Sequence, residues 1–229
     1  MPEIKPKPGK LFIVATPIGN TRDITLRALD ILREVDGVIC EEQREGSTLL
    51  KRLNVQPKDL VTLNEHNEIT RISELIQRFW QGESFALISD CGTPVFADPG
   101  AALIEQAVQS GIEVVPIPGP SSLMAALSIL DIKLDRFIFA GFLPRQPAER
   151  KGQLTHLRAL RFPLVLMDTP YRLQSLLDEI ASIFGNGQTI TLACDLTLPT
   201  EKIFRGTVKE IQAKVRGRKA EFILILHRK

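Results

Sequence analysis

At 229 residues, with 44% hydrophobic and 24% charged side chains, the chain can form one large or two smaller globular domains and is too apolar for extensive disorder. Its net charge of 29 − 27 = +2 excludes a global polybasic character, so any nucleic-acid surface must be a local patch. No apolar run approaches the roughly 20 residues of a membrane helix, and the Lys- and Pro-rich opening lacks the apolar core of a secretory signal. The cysteines Cys40, Cys91 and Cys194 are far apart in sequence and read as reduced, mostly buried thiols of a cytoplasmic protein.

Residues 1–10 read as a flexible lead. Leu11 to Ala15 is a short apolar run stopped at Thr16-Pro17, which predicts a buried strand. Asp23 can cap a helix carrying Ala28, Leu29, Leu32 and Val35, and Gly37 to Cys40 predicts a second strand. Ile69, Ile72, Leu75, Ile76 and Phe79 form a helical stripe before a strand over Phe85 to Ile88. Asp98 and Pro99-Gly100 mark the start of a helix through Leu103, Ile104, Ala107 and Val108, followed by a strand at Ile112 to Val115. Ser121 or Ser122 caps a helix over Leu123 to Leu130. Strands alternating with helices predict a largely parallel sheet covered on both faces.

The character changes near Asp131–Arg150, and the crossover between domains is placed there, giving an N-terminal domain over 11–131 and a C-terminal domain over 132–229. The second half carries strands at Phe137 to Ala140, Leu164 to Met167, Thr189 to Ala193 and Phe222 to Leu226. Helical stripes run through Leu173, Leu176, Leu177, Ile180 and Phe184, and through Val208, Ile211 and Val215. This half also reads as α/β.

The glycine patterns of dinucleotide folds and P-loops are absent, and so is a serine nucleophile elbow. His66, His156 and His227 are too scattered for metal-ligand spacing, so no metal is expected. What stands out is three loops at strand ends: Thr16 to Asn20, Ser89 to Gly100, and Pro116 to Ser122. Ligands of open α/β sheets bind beyond the carboxyl ends of strands, and Gly and Pro let backbone groups face them. Each loop alone reads as ordinary turn punctuation; three in succession, each after a buried strand, point to a pocket. Asp90 directly follows a strand and either accepts hydrogen bonds from a ligand amine or hydroxyl, or caps its own turn.

The runs Val14 to Asn20 with Asp23 to Leu29, Cys40-Glu41-Glu42-Gln43-Arg44, Glu65 to Glu68, Ile88 to Gly100, Pro118 to Ser121 and Gly141-Phe142-Leu143-Pro144-Arg145 occur in an order that resembles the bacterial 16S rRNA ribose 2′-O-methyltransferases of the RsmI type, in the tetrapyrrole methylase superfamily. The resemblance runs from about Leu11 to Leu226. It implies two α/β domains of the tetrapyrrole methylase (class III methyltransferase) type with a cofactor cleft between them, a homodimer, and S-adenosylmethionine as methyl donor. The matching cofactor positions are Pro17, Asp90, Gly92, Thr93, Pro94, Ser121 and Ser122, with Leu166, Met167, Leu198 and Ala220 in the second domain. On the acceptor side our expectation is that Glu41, Arg44, His66 and Asn67 line the site, with Glu41 or His66 as the proton acceptor and Arg44 on a phosphate, and that Asn20, Arg22 and Arg145 face 16S rRNA in the 30S subunit. Arg150 is a further candidate backbone contact, and an ion pair that merely fixes the loop is the alternative role of Glu41 and Arg44.

The chain departs from the family pattern at Glu42-Gln43, at Gly46-Ser47-Thr48, at Met167 to Arg172 and at Ala193 to Leu198, where several family cations are replaced. Family members also carry a small C-terminal helical extension beyond the point corresponding to Lys229. Cofactor loops are therefore better kept than substrate-side residues, which leaves another RNA or a small molecule as alternative acceptor, and a non-catalytic cofactor- or RNA-binding protein as a different class of reading.

Overall fold

The computed structural model describes residues 7–95 and 99–228. The chain forms two compact units, one up to Ser121 and one from Ser122 onward. The first is built on five strands, β1 (Lys10–Val14), β2 (Gly37–Cys40), β3 (Leu60–Thr62), β4 (Phe85–Ile88) and β5 (Glu113–Ile117). They lie in the order β3-β2-β4-β1-β5, and every pairing is parallel. The helices α1 (Leu26–Glu34), α2 (Gln43–Arg52), α3 (Glu68–Trp80) and α4 (Ala101–Gln109) alternate with them. β2 and β4 are buried throughout, as strands covered on both faces must be. Leu11, Phe85 and Leu87 pack with Ile72, Leu75, Phe79 and Leu103 on one face, while Val14, Val38 and Ala86 pack with Ala28, Leu32 and Leu50 on the other.

Several local readings are corrected. Thr25, not Asp23, caps α1, its hydroxyl accepting from the Ala28 amide; a 3-10 turn, Thr21–Asp23, precedes it and is capped by Asn20. The stripe of α3 begins at Ile72, since Ile69 is 88% exposed, and Val108 of α4 is 62% exposed. Asp98 lies outside the described residues. Residues 1–6 of the expected flexible lead also lie outside them, but Gly9 donates to the Phe79 carbonyl and Lys10 already belongs to β1. Cys40 and Cys194 are buried, whereas Cys91 is exposed.

α2 was not evident from the sequence. Its Gly46 lies against Cys40: a β-carbon there would sit 2.6 Å from the Cys40 sulfur. The glycine lets the helix backbone rest directly on β2.

The second unit contains β6 (Ile138–Phe142), β7 (Leu164–Asp168), β8 (Thr189–Cys194), β9 (Lys202–Thr207) and β10 (Phe222–Leu226), in the order β6-β7-β10-β8-β9. Only β6 and β7 run parallel; β7-β10, β10-β8 and β8-β9 are antiparallel, so this sheet is mixed. α6 (Pro147–Ala159), α7 (Leu173–Phe184) and α8 (Val208–Lys214) contribute to one core, and α5 (Ser122–Ser128) packs Ala126 against Val165, Ile223 and Ile225 on the other face. That packing places α5 with the second unit, whereas the sequence puts the crossover after Asp131.

Candidate active site

Register explains why the three loops meet. Val14 of β1 is level with Ile88 of β4 and Ile117 of β5, so the chain leaves all three strands at one edge. The loops are then joined by short hydrogen bonds. The Thr16 amide donates to the Gly92 carbonyl at 2.9 Å, and the buried Thr16 hydroxyl donates to the Ser89 carbonyl at 2.9 Å. The Ala15 amide donates to the Ile117 carbonyl at 3.2 Å, and the Thr93 hydroxyl donates to the Pro120 carbonyl at 3.3 Å.

Small residues make the junction possible. Gly92 has φ +84°, and a β-carbon there would lie 3.2 Å from the Ile18 side chain. At Gly119 it would lie 3.1 Å from the Ala15 β-carbon. Val95, a β-branched residue, is held at φ +71°, a strained conformation that costs on the order of 1–3 kcal/mol and recurs in ligand-binding loops.

Pro17 and Asp90 are brought together on a cavity of about 150 Å³ whose other lining includes Ile18, Gly19, Thr48, Leu49, Arg52 and Cys91. This is smaller than the roughly 300–1,000 Å³ of complete small-molecule sites. Thr48, Leu49 and Arg52 come from α2 and were missed by sequence reasoning; once α2 is known, their spacing along one helix face is the signal. Pro94 is buried behind the loop, Thr93 and Asp90 are exposed, and Ser121 and Ser122 are half-buried.

Behind this edge the Cys40 thiol is pushed up to about 11, first by burial and then by the carboxylates of Asp90 and Glu42. The cavity itself carries both signs of charge, Asp90 and Glu45 against Arg52.

Glu41 and His66 are also brought together. They line a cavity of about 420 Å³ with Glu42, Asn64, Glu65, Glu68 and Pro99. His66 is exposed and its Nε2 lies 3.6 Å from Glu65. Asn67 is turned inward: it accepts from the Asn64 amide and donates to the Thr62 carbonyl, so it shapes the loop. Arg44 is exposed on the first turn of α2 and is not in that lining; its carbonyl accepts from the Ser47 and Thr48 hydroxyls. Asn20 caps its turn through the Arg22 amide, and Arg22 is exposed.

In the second unit Leu166 and Met167 are consecutive on β7 and face opposite sides of the sheet, Leu166 fully buried and Met167 half-buried. Ala220 is buried as well, so Leu166 and Ala220 have only backbone groups to offer a ligand. Leu198 is 38% exposed in the β8-β9 connection, where Asp195 and Thr197 have positive φ. Arg145 is exposed, but Arg150 is not: it is 4% exposed and makes a bidentate pair with Glu179, both bonds 2.7 Å. It also donates to the carbonyls of Pro144 and Arg145, which makes it a brace for that loop and not a nucleic-acid contact.

Among the described residues no helix is long and apolar enough to cross a membrane, and no three His, Cys, Asp or Glu side chains are grouped to hold a metal. The family model of the Tetrapyrrole (Corrin/Porphyrin) Methylases matches residues 10–212. A Ribosomal RNA small subunit methyltransferase I from Xylella fastidiosa (strain Temecula1 / ATCC 700964) is 41% identical over 223 residues, 96% of this chain and 81% of its own length. The protein of that name from Thermotoga maritima is 41% identical over 202 residues, 88% of this chain and 90% of its own. Among solved structures, a cobalt precorrin-4 methyltransferase has a TM-score of 0.67 at 18% identity, covering 95% of this chain and 94% of its own. The uroporphyrin-III-C-methyltransferase from Thermus thermophilus has a TM-score of 0.63 at 22% identity, with the same coverage. Fold, family match and relatives agree: the chain is a methyltransferase belonging to the tetrapyrrole (corrin/porphyrin) methylase family.

Proposed function

We propose that this chain uses S-adenosylmethionine to methylate a ribose 2′-hydroxyl of 16S rRNA in the small ribosomal subunit, as a cytoplasmic homodimer. The observation that carries the reading is the junction of three loops at the carboxyl edge of the parallel sheet, with Asp90 exposed on it. The residues fit the cofactor. Gly92 and Gly119 are places where a β-carbon would crowd Ile18 or Ala15, so the loops present backbone at close range. Asp90 would accept hydrogen bonds from an amine or ribose hydroxyl, and Pro17 lines the same cavity.

When bound, S-adenosylmethionine supplies a methyl group on a positively charged sulfur. The protein's part is to hold the acceptor oxygen about 3 Å from that carbon and to exclude water. A ribose hydroxyl is a weak nucleophile, and Glu41 or His66, sharing one cavity, takes its proton. The relatives named as small-subunit rRNA methyltransferases support RNA as the acceptor.

One observation favours a second reading. The Glu41–His66 cavity also holds Glu42, Glu65 and Glu68, and four carboxylates repel phosphate. An uncharged or cationic small acceptor would suit it.

Both readings are tested by transfer of labelled methyl from S-adenosylmethionine to small ribosomal subunits from a strain lacking the gene. Label on a ribose 2′-oxygen is expected; label on a base, or none, removes the rRNA ribose assignment. Calorimetry of Asp90→Ala is expected to show at least a tenfold loss of cofactor affinity, from one charge-assisted hydrogen bond of about 1.5–3 kcal/mol. Unchanged affinity would remove the site from this edge.

A further inference from the structure

One end of the mixed sheet, bordering Met167 and Ala220, gathers side chains that neither the three-loop edge nor the Glu41–His66 cavity uses. β6 ends at Phe142 and β7 at Asp168, and Phe222, which opens β10, is paired with Asp168 and Cys194. The segments around Arg145, Tyr171 and Lys219 therefore emerge together. Tyr171 sits on the 3-10 turn Pro170–Arg172 and is 79% exposed, although tyrosine is more often half-buried. The Lys219 ammonium lies 5.1 Å from its ring centre. Phe142 is 48% exposed beside the same loop.

The loop beneath is rigidly held. Arg172 pairs with the fully buried side chain of Asp168 at 2.5 Å and donates to the carbonyls of Leu143 and Pro144. Arg150, fixed by Glu179, donates to the carbonyls of Pro144 and Arg145. With their guanidinium groups engaged inward, these two arginines leave Arg145 and Lys219 to present charge outward, joined by exposed Lys202 and Arg216. The carboxylates nearby are Asp195, held by Arg218 at 2.8 Å, Glu201, which accepts from the Thr197 amide, and Glu221.

We infer that this end of the second unit binds single-stranded RNA, with an unpaired base stacked on the open face of Tyr171 and the flanking phosphates held by Lys219 and Arg145. An exposed ring on a braced turn, with cations beside it, matches the stacking platform by which proteins hold unpaired bases. Duplex would be held by phosphate contacts alone and would not need the ring. The inference rests on the reading of RNA as the acceptor.

The test is fluorescence anisotropy of the full-length protein with a short unstructured oligocytidine ribonucleotide. Tyr171→Ala is expected to weaken binding roughly 5- to 100-fold, the equivalent of one lost base–aromatic stack, while Tyr171→Phe retains it. Lys219→Glu is expected to weaken binding and lower the salt slope by about one. Melting temperature should stay at the wild-type value in all three, since the side chains are exposed. The proposal is overturned if Tyr171→Ala binds the oligonucleotide like wild type, or if a matched duplex or polyglutamate competes as well as the single strand. Tyr171-dependent binding by a protein that methylates no subunit would sustain this site while refuting the proposed activity. Methylation with unchanged KM in Tyr171→Ala would do the reverse.

Discussion

The carboxyl edge of the parallel sheet and the Phe142–Asp168 end of the mixed sheet are both fastened, but by different chemistry. In the first, backbone amides, carbonyls and two threonine hydroxyls tie three loops together across small residues. In the second, two arginines reach from a helix and a turn to the carbonyls of Leu143, Pro144 and Arg145, each held by a buried carboxylate. The difference suits the role proposed for each end. An edge that offers backbone groups to a small ligand must keep side chains out of the way. An end that displays charge can be braced from within by charge, provided each buried arginine has its partner.

That contrast is broken most directly at Glu179. Glu179→Ala leaves Arg150 charged and buried without its bidentate partner, which is expected to destabilise the protein by about 3–5 kcal/mol. Urea denaturation of the whole chain measures it. A loss below about 1 kcal/mol would mean that the Pro144 and Arg145 carbonyls alone suffice for Arg150.

A smaller effect tests the small-residue side of the comparison. Gly46→Ala ought to help a helix by about 1 kcal/mol on intrinsic propensity. Here the new methyl would lie 2.8 Å from the Cys40 β-carbon and 2.6 Å from its sulfur, and overpacking of this kind costs about 1–3 kcal/mol. The expected outcome is a lower melting temperature, together with weaker cofactor binding, because α2 carries Thr48, Leu49 and Arg52 to the cavity of Asp90. A raised melting temperature would show that α2 shifts without strain.

What was legible in the sequence follows the same division. The strands β1, β4 and β10 and the helix α7 declare themselves through unbroken apolar runs or a regular stripe, and the three strand-end loops through Gly, Pro and small polar residues. α2 did not, because Gly46 looks like a helix breaker until the Cys40 contact is known. β3 has three residues and β9 is only half-buried, so neither carries a strong period. The parallel sense expected of the first unit is what its sheet has, whereas the α/β character of the second unit leaves strand direction open, and there the β8-β9 hairpin and the return of β10 between β7 and β8 make the sheet mixed. Arg150 looked like a surface cation because nothing local points to Glu179, 29 residues away.

The smallest expected effect concerns pH and belongs to the mixed sheet. His227 follows β10, its Nε2 2.9 Å from the buried Thr191 hydroxyl. Burial holds the ring below its ordinary 6.5; Asp131 opposes this and Arg205 reinforces it. The folded state therefore resists protonation that the unfolded chain accepts. Stability from this group is complete above about pH 6.5 and declines as pH falls through the unfolded value toward the lower folded one. Urea midpoints at neutral pH and near pH 5.5 should show that decline in wild type, and His227→Gln should flatten the part due to this ring. If His227→Gln leaves the decline unchanged, the ring is not its source and this end of the mixed sheet is indifferent to acid in this range.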